Sequence, residues 1–360
     1  MPISDETDVA DPATAERRAH PGRRLLLGVL AAAVLAGIII VGRHTLAKSL
    51  HVLDDANPAW LLLALVAEAA SLSAFGLSRT LLLRANSHRP GARRIRFREV
   101  MVVTYAANAL SLSVPFAGAE LAVVYSYREF RRSGADSATT SWSLGVSALF
   151  STSALAFVLL IGAAAGGWSA GTAAALAGAL LYLIPGAGVL LALRYSRVRA
   201  VLQGVLARLA ELSRRVFGKP ENGADGLEAY LDEVSSTRMP WQSYLRVFGL
   251  AAANWLLDCA ALACAIRAMG QPVPWRELLL VYGAGAAVGS TGITPGGFGL
   301  VELALTAALT ASGLPSSHAL AAVLAYRLVN FWLVILAGWV CVAVLARRGS
   351  RGENTAGPLK

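Results

Sequence analysis

The sequence predicts an all-α polytopic membrane protein, with about six full spans and two broken helical hairpins arranged as an inverted repeat. Three observations lead there. Apolar residues make up 56% of the 360-residue chain and charged residues 15%, against about 45–50% and about 25% in soluble domains. The apolar residues lie in long continuous runs, not in the alternating strands of about 10 residues that build outer-membrane barrels. A proline-centred break followed by a glutamate occurs twice, with Pro115 and Pro295 180 residues apart. The mean hydropathy of +0.57 also excludes a disordered chain, which needs low hydrophobicity.

Taken in order, a polar tail over 1–24 precedes a membrane domain over 25–346. Full spans are expected at 25–42, 58–83, 138–163, 171–194, 241–268 and 316–346. Each is near the roughly 20 residues that cross a membrane at about 1.5 Å per residue. The polar lead, without a small-residue cleavage site, makes the first span a retained signal anchor. Two further apolar stretches, 99–127 and 276–311, are interrupted by Ser113-Val114-Pro115-Phe116-Ala117-Gly118 and by Thr294-Pro295-Gly296-Gly297-Phe298-Gly299. Proline and clustered glycine break helices. The arm 299–311 would extend about 20 Å as a helix, short of the roughly 30 Å hydrocarbon core. Both stretches read as re-entrant hairpins. Two short full spans each is the alternative, and either returns the chain to the side it left.

Charge sets sidedness. The segments 1–24, 84–99, 128–132, 194–240 and 347–360 carry 25 Lys and Arg, whereas the opposite loops 43–57, 164–170, 267–276 and 312–318 carry 4. The positive-inside rule then places both termini in the cytoplasm, and the plasma membrane is the expected location. The net charge of +10 and pI near 10.0 would suggest nucleic acid in a soluble protein. Here the excess fits inner loops beside anionic lipid, and no nucleic-acid partner is expected. Within 195–240, Val198, Val201, Leu202, Val205, Leu206, Leu209, Leu212 and Val216 recur at helical spacing, with Arg199, Arg208, Arg214 and Arg215 opposite. That pattern predicts a basic amphipathic helix on the inner leaflet. The tail 347–360 is expected in the cytoplasm.

The two breaks share a downstream pattern. Pro115 precedes Glu120 and Ser133-Gly134, and Pro295 precedes Glu302 and Ser312-Gly313, with intervals of 18 and 17 residues from proline to the serine. Each hairpin is flanked by spans that run in opposite senses in the two copies. Inverted repeats with discontinuous helices are a transporter signature. Two helical hairpins that merely pack remain the bland alternative.

Charges inside spans are functional candidates, because each is costly in lipid. Glu302 sits in the first turn after Gly299, where a helix N-terminus favours an anion. Arg327 is mid-span, with Tyr326 and Asn330 beside it. Its planar fork suits a phosphate or a carboxylate, so Glu302 and Arg327 either lock the second hairpin or contact a ligand. Asn254 and Asp258 share one face of span 241–268. Glu68 lies mid-span and Glu120 follows the first break; any of these acids could pair, relay a proton or bind a head group. Gly283-Ala284-Gly285-Ala286-Ala287-Val288-Gly289 follows no strand, so it reads as close helix packing rather than a nucleotide loop. Cys259, Cys264 and Cys341 and the five histidines form no metal or disulfide pattern, so neither metal nor cofactor is expected. No catalytic motif is found, and the chain is not expected to be an enzyme.

The run Pro295-Gly296-Gly297-Phe298-Gly299-Leu300-Val301-Glu302, with Tyr326-Arg327-Leu328 and Phe331-Trp332 downstream, resembles the lysylphosphatidylglycerol synthase transmembrane, or flippase-like, family. The segment from Pro115 to Glu120 is similar to that family's first motif, although Val123 and Val124 stand where members carry an arginine. Two-domain members add a C-terminal synthase domain. This sequence stops at Lys360, so the resemblance implies the lipid-translocating half without the synthase half. It implies movement of a phospholipid or a lipid-linked envelope precursor between leaflets, with membrane lipids as partners. The second reading is a non-catalytic membrane partner of an envelope-biosynthesis enzyme. Pro295, Gly296, Gly297, Gly299, Glu302, Arg327, Glu120, Asp258 and Asn254 are the candidate binding or gating residues.

Overall fold

The computed structural model describes residues 56–85, 94–166 and 239–355. The expected spans at 25–42 and 171–194, the tail 1–24 and the amphipathic segment 195–240, save Met239 and Pro240, lie outside the described residues. The described residues are all helical, without a strand. Their order is α1 (Pro58–Leu83), α2 (Phe97–Ser113), α3 (Gly118–Arg132), α4 (Ser137–Gly166), α5 (Trp241–Ala268), α6 (Leu278–Ser290), a 3-10 turn (Pro295–Gly297), α7 (Leu300–Ala311) and α8 (Ser316–Arg327). A π-helical segment (Leu328–Leu333) then joins α8 to α9 (Val334–Thr355) without interruption. Four of these stretches are long and apolar enough to cross a membrane: Pro58–Leu83, Ser137–Ala165, Trp241–Ala268 and Ser316–Arg347.

The helix ends follow local chemistry. At the start of α1 the Asn57 side chain accepts the Ala59 N–H at 3.0 Å, and Pro58 at the first position has no N–H to strand. Asp136 accepts the Thr139 N–H at 3.0 Å ahead of α4. The packing of α1 is reversed from that of a soluble helix. Leu62, Leu63, Leu65 and Val66 are exposed, while Glu68, Ser71, Ser78 and Thr80 are buried. Lipid-facing positions take the apolar side chains, and polar groups turn to partners inside.

The long helices α1 and α5 form the spine and run antiparallel. The Asn57 N–H donates to the Ala268 carbonyl at 2.9 Å. The Ser71 hydroxyl donates to the Asn254 carbonyl at 2.9 Å. Each is followed by a broken pair and then a closing helix: α2 and α3 with α4, α6 and α7 with the α8–α9 helix. The first arms of the hairpins are exchanged between the two triplets, whereas α7 stays on α8 of its own. The first arm α2 packs along α9, where a side chain at Gly338 would strike the Tyr105 carbonyl. The first arm α6 packs along α4, where side chains at Gly162 and Gly283 would strike Leu279 and Leu159. Both contacts are antiparallel, and both use the C-terminal half of the closing helix. Gly285 in turn faces Leu305 of α7, so this glycine run serves helix packing.

Candidate functional site

The first break, Val114 to Ala117, and the second, Thr291 to Gly299, meet. The Phe116 N–H donates to the Gly292 carbonyl at 2.7 Å. A side chain at Gly296 would strike both Phe331 and Leu112 of α2, so backbone from one break lies directly on the first hairpin. Irregular backbone at membrane depth is tolerated where protein buries it or where it lines a cavity. The arms around the breaks are short. At about 1.5 Å per residue, the 12 residues of α7 extend about 18 Å and the 13 of α6 about 20 Å.

Four glycines shape the second break through positive φ: Gly292 at 63°, Gly296 at 54°, Gly297 at 71° and Gly299 at 81°. Side-chain-bearing residues adopt this region at a cost of roughly 1–2 kcal/mol. The turn delivers two backbone groups to charged side chains. The Gly299 N–H donates to Glu302 Oε2 at 2.7 Å, and the Gly296 carbonyl accepts from Arg327 Nη2 at 2.9 Å. Between them, Arg327 Nε donates to Glu302 Oε1 at 2.7 Å. Both residues are buried, Arg327 at 3% exposure and Glu302 at 7%. The guanidinium also stacks 4.3 Å from the Phe331 ring centre. In this conformation Arg327 ties α8, the turn and the first residues of α7 into one unit.

Asp258 organises a second polar centre about the spine. Its Oδ2 accepts from the Tyr282 hydroxyl at 2.7 Å. Its Oδ1 accepts from the Tyr326 hydroxyl at 2.8 Å and from Asn330 Nδ2 at 2.9 Å. Glu68 of α1 lies against Asp258 and Asn330. Asn254, one turn from Asp258, is occupied by Ser71, whose hydroxyl reaches its Oδ1 at 3.1 Å. The two centres are adjacent in sequence, because Tyr326 and Arg327 are consecutive.

The predicted residues therefore divide into three sets. Pro295, Gly296, Gly297, Gly299, Glu302 and Arg327 form one cluster. Asn254 and Asp258 belong to the neighbouring one. Glu120 joins neither: it is exposed in the first turn of α3. Tyr282 is a member that sequence reasoning missed. Its only signal was that it is the lone aromatic side chain in the apolar run Leu278–Ser290, four residues after the helix start.

The family model described as the lysylphosphatidylglycerol synthase TM region matches residues 25–338. A comparison with curated proteins gives no match.

Proposed function

This chain belongs to the family of lysylphosphatidylglycerol synthase transmembrane regions, and from that premise we propose that it moves a lipid between the leaflets of the plasma membrane. The lipid is a phospholipid or a lipid-linked envelope precursor, and the step is transport without catalysis. The observation that carries this reading is the direct contact between the two helix breaks, Phe116 N–H to Gly292 carbonyl at 2.7 Å. Discontinuous helices that meet between repeated halves are how many transporters build a site that can open to either side. The exchanged packing of the hairpins supports the same reading, since α2 leans on the second closing helix and α6 on the first. Both termini lie in the cytoplasm under this proposal, on the strength of the lysine and arginine bias.

The deciding experiment is transfer of a fluorescent phospholipid by the pure protein in proteoliposomes. Wild type should speed the loss of reducible label from the inner leaflet over protein-free vesicles. Gly296→Leu with Gly297→Leu should abolish that gain, because both positions have positive φ and no room for a side chain. No transfer by wild type, together with copurification of an envelope-biosynthesis enzyme, would favour the partner-subunit reading instead.

A further inference from the structure

Three carboxyls and one guanidinium occupy the interior where the spine meets the second hairpin. Glu302 neutralises Arg327 at 2.7 Å. That leaves Glu68 and Asp258 against each other with no cation of their own among the described residues. Two adjacent carboxylates in a poorly solvated place cannot both stay ionised, because like charges and lost hydration both favour the protonated form of one of them. Their surroundings decide which one takes the proton. Asp258 accepts three hydrogen bonds, from Tyr282, Tyr326 and Asn330, which stabilise a carboxylate. Glu68 is 4% exposed, and its Oε2 is buried without a hydrogen-bond partner among the described residues.

We propose that Glu68 and Asp258 form a proton-binding pair, with the exchangeable proton on Glu68, and that proton movement through this pair drives the lipid transfer. The coupling half of the statement rests on the transport reading above; the proton site does not. A metal cation fits this place less well. Three donor hydrogens already point at the Asp258 oxygens, whereas a cation is held by several oxygens turned towards it.

The groups facing the pair come from every helix around it. Besides the three donors to Asp258, Arg327 of α8 and Cys259 of α5 lie near it. Tyr105 of α2 lies near Glu68. The closing helix α4, which also packs on both spine helices, carries no ionisable residue between Ser137 and Gly166.

The placement gives the proton leverage. Glu68 belongs to the first triplet and Asp258 to the second. Passing the proton from Glu68 to Asp258 would weaken the hold of Asp258 on Tyr326 and Asn330, which bracket Arg327. On loading, a hydronium ion on one side breaks an O–H bond as the carboxylate makes one; on release, that carboxyl O–H breaks as water on the other side takes the proton.

Infrared difference spectroscopy of the purified chain in lipid tests the site directly. A carbonyl stretch from a buried protonated carboxyl should appear as the pH falls and disappear as it rises. Glu68→Gln should delete that band, and Glu68→Asp should shift it. Absence of a titrating band in wild type overturns the site, and this holds even if Glu68→Gln does not fold. A band that sodium ions abolish at fixed pH also overturns it, in favour of a cation site. In proteoliposomes, reversing a proton gradient should change the wild-type transfer rate several-fold. A rate indifferent to the gradient overturns the coupling. If the band titrates but no lipid moves under any gradient, the transport reading falls and the proton site stands.

Discussion

The two hairpins are built on one plan and held in different ways. The second break takes its shape from four positive-φ glycines and is pinned by the buried Glu302–Arg327 pair. The first has a single positive-φ residue, Phe116 at 59°, whose side chain is 76% exposed. Its glutamate, Glu120, is exposed on α3. What attaches the first break to its surroundings is lighter: the Phe116–Gly292 backbone bond, and the Trp339 indole N–H donating to the Ser113 hydroxyl at 3.1 Å. One hairpin is fastened by charge inside protein, the other by neutral hydrogen bonds. The asymmetry lies at the breaks themselves: a buried ion pair pins the second, and neutral hydrogen bonds hold the first.

The strongest way to break that contrast is at Arg327. Arg327→Gln leaves Glu302 buried without its cation, and removing one member of a buried pair costs about 3–5 kcal/mol. Thermal unfolding in detergent should show a large loss for Arg327→Gln and for Glu302→Gln, and the double variant should lose less than the two combined. Strictly additive, mild shifts would show that the pair does not fasten the hairpin. Arg327→Lys should recover little, since a point charge lacks the fork that reaches both Glu302 and the Gly296 carbonyl.

Backbone comes next. Gly296→Ala puts a methyl into Phe331 and Leu112 at a positive φ, and a loss of about 1–3 kcal/mol is expected. In the first hairpin the corresponding change runs the other way. Phe116→Gly relieves a strained φ, so its melting temperature should hold or rise slightly, within about 1 kcal/mol. A destabilised Phe116→Gly would mean that the exposed phenyl ring is itself an anchor. Trp339→Phe removes one neutral hydrogen bond and should cost about 0.5–1.5 kcal/mol by the same melt. The smallest effect belongs to Glu120→Gln, expected within about 0.5 kcal/mol of wild type. A loss there as large as at Glu302 would erase the contrast between the hairpins.

Much of this was legible in sequence. The helices at 58–83, 138–163, 241–268 and 316–346 could be read because lipid demands about 20 apolar residues in a row, and the described helices follow those bounds closely. Both breaks could be read because proline and glycine act locally. The Glu302–Arg327 pair was visible because charges inside spans are few, so few pairings exist to choose from. Partnerships set by tertiary packing were hidden. Phe116 and Gly292 are 176 positions apart, and nothing local marks either as a contact. Tyr282 reads as one more apolar-run aromatic until α6 is laid against α5. Glu120, like Glu302, follows a proline-centred break, but it is exposed on α3 and no arginine pairs with it among the described residues.

The π segment Leu328–Leu333 gives the closing helix two phases. An α-helix advances about 100° per residue, so a wider turn re-indexes every side chain beyond it. Before it, Tyr326 and Arg327 point to Asp258 and Glu302. After it, Gly338 and Trp339 point to α2. Within it, consecutive Asn330 and Phe331 serve different centres, the amide on Asp258 and the ring on Arg327. The closing helix is therefore a shaft with two separately clocked ends, one keyed to each hairpin. Deleting a single residue between Leu328 and Leu333 would close the wide turn into an ordinary α turn, and the loss would fall within the segment, on the Asn330 amide and the Phe331 ring that serve Asp258 and Arg327.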